Sequence, residues 1–141
     1  VGSSEVFEHT ADLGLRISAE NLDDLFRTAA EALFDVIAAD RTTIQPLESE
    51  TVELRADSPE RLLVDWLNEL IFRVEVRHRF YGRFDVKITD DGRSLSATIA
   101  GEPIDPDRHA LDHEVKAATH HGLFVRREEG GGWLAELILD I

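Results

Sequence analysis

Apolar residues alternate with polar ones near both ends of the chain and recur at three-and-four spacing in two long stretches between them. Leu13, Leu15, Ile17 and Ala19 fall on one side of an extended segment and Gly14, Arg16 and Ser18 on the other, which predicts a strand. A shorter strand is expected just before it, at Val6 to Phe7. Asn21 then caps a helix, with Asp24 three residues on and Asp23 favoured by the helix dipole. The stripe Leu22, Leu25, Phe26, Ala29, Ala30, Leu33, Phe34 and Ile37 gives that helix one continuous apolar face. The link from Asp40 to Ser49, which holds Pro46, reads as a loop, and Val52, Leu54 and Ala56 alternate in a strand over Thr51 to Ala56.

Ser58-Pro59-Glu60 starts a second helix: Ser caps, Pro takes a first-turn place where no amide bond is lost, and Glu complements the dipole. Leu62, Leu63, Trp66, Leu67, Leu70, Ile71 and Val74 form its buried stripe, leaving Asp65, Asn68, Glu69 and Arg73 off it. The charged end from Arg73 to Arg79 is expected in solvent. Phe84, Val86 and Ile88 pair with Leu95, Ala97 and Ile99 in a hairpin turned at Asp90-Asp91-Gly92. The two aspartates there are turn formers, not a metal site. After a loop over Gly101 to Arg108, strands are expected at His113 to Thr119, Leu123 to Arg127 and Trp133 to Leu139, the last pair joined by Gly130-Gly131-Gly132. The sum is an α+β fold, with two amphipathic helices packed on a largely antiparallel sheet of about seven short strands, in a single domain over residues 1–141.

Composition narrows what such a domain can do. Hydrophobic residues make up 43% of the chain in periodic groups, which excludes disorder despite the charge. The net charge is -14, and the basic side is thirteen Arg and only two Lys, Lys87 and Lys116. Broad nucleic-acid binding is not expected, because phosphate neutralisation is the main source of that affinity. The acidity fits either a salt-adapted source or a surface complementary to a basic partner. The lack of Cys removes disulfides, thiolate nucleophiles and thiolate metal sites together. No run approaches the roughly 20 apolar residues of a membrane span and no signal pattern opens the chain, so no membrane association and a cytoplasmic location are the expectations.

The stretch Phe7-Glu8-His9-Thr10-Ala11-Asp12 breaks the N-terminal alternation with a histidine, a hydroxyl and a carboxylate. It reads either as a polar turn or as part of a site. At the far end, Asp140 precedes Ile141 and its terminal carboxylate, and first and last strands are often neighbours in a compact domain. Carboxylates with a terminal carboxylate or carbonyl make a hard-oxygen set, suited to Ca²⁺, Mg²⁺ or Mn²⁺ rather than Zn²⁺. Of the six histidines, His113 begins half of a helical zinc motif whose second ligand position holds Ala117, so a zinc protease is excluded. His120-His121 before Gly122 reads as exposed turn histidines. Lys116, one of two lysines, sits in an apolar strand and needs either an acidic partner or a purpose. No glycine-rich phosphate loop and no Ser-His-Asp motif context is present.

Four motifs in order, Phe7-Glu8-His9-Thr10-Ala11-Asp12, Asp65-Trp66-Leu67-Asn68-Glu69-Leu70, His113-Glu114-Val115-Lys116-Ala117 and Ile138-Leu139-Asp140-Ile141, make the chain resemble an archease over nearly its whole length. The resemblance implies an accessory protein, not an enzyme by itself. Its partner would be the RtcB-type RNA ligase of tRNA splicing, whose guanylylated histidine intermediate and multiple turnover it would promote. It also implies a divalent cation, Ca²⁺ in the family, on Asp12, Asp140 and main-chain oxygen of Ile141, with an assisting role for Lys116. Ala118 and His120 stand where bulkier or aromatic residues are common in the family. Two other readings remain beside it: a metal-dependent hydrolase or transferase working alone, and a chaperone-like binding module.

Overall fold

A computed structural model describes residues 2–9 and 12–141, and the side chains of all of these except Glu8 and His9. Thr10 and Ala11 of the N-terminal motif therefore lie outside the described residues. The chain begins with the antiparallel pair β1 (Ser3–His9) and β2 (Asp12–Ala19), followed by helix α1 (Leu22–Ile37). One 3-10 turn at Arg41–Thr43 interrupts the link to β3 (Glu48–Arg55). Helix α2 (Pro59–Arg77) and the hairpin β4 (Arg79–Ile88) and β5 (Ser94–Pro103) come next. The chain finishes with β6 (Ala117–Arg127) and β7 (Trp133–Asp140). Two helices and seven strands among the described residues agree with the expected α+β class, and the strands divide into two antiparallel sheets, ordered β1-β2-β7-β6 and β3-β5-β4.

Both helix starts follow from their caps. Asn21 accepts a hydrogen bond from the Asp24 amide at 2.8 Å, and Ser58 accepts one from the Arg61 amide at 3.1 Å. At its other end α2 stops in a left-handed residue, His78, whose amide returns to the Arg73 and Val74 carbonyls. α1 packs against β4 and β2 and against α2, and so is buried almost all round: Leu25, Phe26, Leu33 and Phe34 are fully covered. Truncating any of these leucines to Ala should cost about 2–5 kcal/mol. Phe34 stacks on Phe84 and meets Phe80 and Tyr81 edge-on, while Trp66 of α2 donates to the Phe26 carbonyl at 3.0 Å. No helix among the described residues is long and apolar enough to cross a membrane.

The tertiary structure corrects three expectations. Residues 112–116 form no strand, because the Asp112 and His113 amides are committed to the Ile37 and Val36 carbonyls at the end of α1. Their backbone closes a helix instead of joining a sheet. The two expected strands on either side of His120-His121 are one strand, β6, whose register slips between Thr119 and Phe124, with Gly122 in the left-handed region. Arg73 is not solvated: it is only 8% exposed, with Glu50 at 2.6 Å and Glu69 at 2.8 Å, and Glu50 also accepts from Tyr81. This polar knot ties α2 to β3 and β4.

Asp90-Asp91-Gly92 makes the expected turn, with Asp91 accepting from the Thr89 hydroxyl and the Arg93 amide. A second buried knot was not legible from the sequence. Glu102, 2% exposed, accepts from Arg108, from the Gln45 amide at 2.6 Å and from His109 Nε2 at 3.0 Å. His109 Nδ1 in turn accepts from the Asp105 amide. The end of β5, which takes in residues 101–103 where a loop was expected, and the following 104–109 loop are thereby pinned to the link before β3.

Candidate functional site

Strand alternation places the two aspartates on one face. Leu13, Leu15, Ile17 and Ala19 of β2 and Ala135, Leu137 and Leu139 of β7 turn toward the helices. Asp12 and Asp140 therefore point to the outer face of the four-stranded sheet, and the register sets them directly opposite each other. Side chains so paired have Cβ atoms roughly 5 Å apart, and like charges there repel. A cation between them would turn that repulsion into attraction.

The surrounding backbone converges on the same point. His9 stands opposite Asp12 on β1, and Ala117 stands opposite Asp140 on β6. The Lys116 amide donates to the Asp140 carbonyl at 2.8 Å. Lys116 is exposed, and no carboxylate among the described side chains pairs with it. Its position is not inside a strand, as expected, but immediately before one. Ile141 is half-buried and packs against the core, which fixes the chain just past Asp140.

Asn68 is the supporting residue that sequence reasoning left without a role. Its carboxamide accepts from the Ala118 amide at 2.8 Å and donates to the Ala118 carbonyl at 3.1 Å. β6 is an edge strand, and this one side chain supplies the partner its outer edge lacks at Ala118, two residues from Lys116. The signal was available: Asn is a poor helix former because it competes for backbone hydrogen bonds, yet it sits in mid-helix between Leu67 and Glu69.

Next to the aspartates the outer face is closed by Phe7, whose ring covers Gly14 so tightly that a Cβ there would enter the ring. Arg16 lies 5.1 Å over the same ring and bonds Glu136 at 2.9 Å and Glu5 at 3.1 Å. Those hydrogen bonds, Glu136 first, raise its guanidinium above the ordinary value. Arg16 is thus occupied by its own carboxylates. A cavity of about 240 Å³ lies between Phe7, His121, Glu136 and Ile138.

Among the described residues no three His, Cys, Asp or Glu side chains converge on one point. The donors available at the sheet end are two carboxylates and main-chain oxygen, a set that fits a hard, oxygen-seeking cation held with water. Of the other histidines, His109 is locked in the Glu102 knot, His78 ends α2, His113 lies at the end of α1, and His120 and His121 are exposed on β6.

Residues 5–141 match the model of the Archease protein family (MTH1598/TM1083). The chain is 40% identical to the protein archease of Methanopyrus kandleri over 139 residues, covering 97% of this chain and 98% of that one. It superposes on the solution structure of Methanobacterium thermoautotrophicum protein 1598 with a TM-score of 0.80 at 35% identity, covering 98% of each chain. The crystal structure of a Thermotoga maritima archease, described as a possible chaperone, shares the fold at a TM-score of 0.68 and 21% identity, over 96% of this chain and 94% of that one. With a family model matched over residues 5–141 and a relative 40% identical over 97% of the chain, the chain belongs to the archease family.

Proposed function

We propose that this protein is a cytoplasmic accessory factor of an RtcB-type tRNA-splicing RNA ligase, promoting guanylylation of the ligase and its multiple turnover. The observation that carries the reading is the register pairing of Asp12 with Asp140 beside an exposed Lys116, which has no carboxylate partner among the described side chains. Asp12, Asp140 and main-chain oxygen of Ile141 would hold the divalent cation, Ca²⁺ by family resemblance. When bound, such an ion supplies fixed positive charge for a phosphate group. The chain's own part is positioning: Asn68 holds Ala118, the Lys116 amide holds the Asp140 carbonyl, and the exposed Lys116 ammonium would face an anion. Lys116 assists a reaction carried out at the partner's site.

The test is guanylylation of the purified ligase with and without this protein, repeated in chelator. Asp12→Ala, Asp140→Ala and Lys116→Ala should fold and fail to stimulate; unchanged stimulation by all three sinks the site assignment. Full stimulation in chelator would favour a chaperone-like module with a structural ion. Turnover of nucleotides or phosphoesters without the ligase would favour a hydrolase or transferase in its own right.

A further inference from the structure

A groove of about 390 Å³ opens between the last turns of α2 and the segment that follows α1 in space. Ile71, Val74 and Glu75 fall at helical spacing on α2 and His78 caps it, so the end of the helix lines the groove with the apolar side chains of Ile71 and Val74. Ile37, Ile104 and Val115 complete an apolar floor, and Leu111, 66% exposed, stands at its edge. The opposite wall is preformed: the Asp112 and His113 amides are bonded to the end of α1, and the Ala39 amide to the Ala110 carbonyl.

The rim has one sign. Glu75, Asp112 and Glu114 are exposed, and no Lys or Arg lines the groove. Among the described residues Glu75 and Glu114 have no ion-pair partner, and Asp112 has only His113 at 3.5 Å. The Nδ1 atom of His113 is buried and lacks a hydrogen-bond partner. An apolar floor under three exposed carboxylates, none paired with Lys or Arg among the described residues, selects a ligand with an apolar side chain flanked by positive charge. It disfavours phosphates and anionic membranes. The wall also leads straight into the candidate site, since Glu114 and Val115 precede Lys116, about 7 Å of extended chain away.

We propose that this groove docks an extended basic segment of the partner protein, whose apolar side chain fills the floor between Val74, Ile104 and Leu111 while flanking Arg or Lys residues pair with Glu75, Asp112 and Glu114. The inference rests on the reading of this chain as an accessory protein and names the surface that holds the partner next to Lys116. The charged rim governs encounter and the floor governs residence.

The experiment measures how much of this protein gives half-maximal stimulation of ligase guanylylation, at low and high salt. The double variant Glu75→Lys, Glu114→Lys should raise that concentration about tenfold or more at low salt and by less at high salt, with Ca²⁺ affinity and maximal stimulation unchanged. Stimulation by the wild type with no shift in the variant overturns the docking inference alone; no stimulation by the wild type overturns the functional reading and the inference with it. Independently, Leu111 replaced by the photocrosslinking residue p-benzoylphenylalanine should attach to a ligase segment in which an apolar residue is flanked by Arg or Lys. Attachment only to a second copy of this chain, or to nothing, overturns the proposal.

Discussion

Asn68→Ala tests how the edge of β6 is held. The substitution removes two hydrogen bonds, at 2.8 and 3.1 Å, from the amide and carbonyl of Ala118, a residue only 5% exposed. Each buried backbone group left without a partner costs about 1–3 kcal/mol, and water can reach part of an edge strand, so the net loss should be about 2–4 kcal/mol. Urea unfolding with an unchanged slope reads that loss as a shift in midpoint. Amide exchange places it: Ala118 and Lys116 should exchange faster, while the amides of β2 respond only to the global change. Asn68→Asp sharpens the argument. It keeps an acceptor for the Ala118 amide but sets an anion against the Ala118 carbonyl, so its deficit relative to wild type should shrink at acid pH, where the protonated carboxyl donates again. A loss below about 0.5 kcal/mol for Asn68→Ala, with exchange at Ala118 unaltered, would refute the strand-mimic role.

The aspartate pair has an unusual signature: in chelator, Asp140→Asn should stabilise the fold by about 0.2–1 kcal/mol by relieving cross-strand repulsion, and in Ca²⁺ it should be the less stable protein, both read by thermal unfolding. Glu102, held down to about pKa 2 by Arg108 first and then by the Gln45 amide and His109, contributes stability that is complete above the ordinary carboxylate range and lost as pH falls toward 2. That contribution is about 3 kcal/mol, so Glu102→Gln should flatten the acid limb of the stability curve, and superimposable limbs would count against it. Arg73→Ala should cost about 1–3 kcal/mol by removing the buried partner of Glu69 and one of those of Glu50, which keeps Arg79 and Tyr81, measured by urea denaturation. Gly101→Ala should be destabilising by more than about 1 kcal/mol, because a Cβ there would collide with the Phe80 carbonyl oxygen across the hairpin; a soluble variant with the wild-type midpoint would contradict this.

What the sequence determined by itself is whatever depends on neighbours along the chain. Helix starts at Asn21 and Ser58, the apolar stripes, the Asp91 turn and the alternation of β2 and β7 are local physics, and each was legible in residue order. The motifs named the candidate site residues Asp12, Lys116, Asp140 and Ile141 in the same way. Only the tertiary structure decided what depends on distant partners. It split the strands into two sheets, drew residues 112–116 out of β structure to close the end of α1, and buried Arg73 between Glu69 of its own helix and Glu50 of β3. It also set Asp12 against Asp140, 128 positions apart, because register between the second and last strands is fixed when both must turn their leucines to the same helices. Local pattern chooses the face a side chain takes, and packing chooses what stands opposite it.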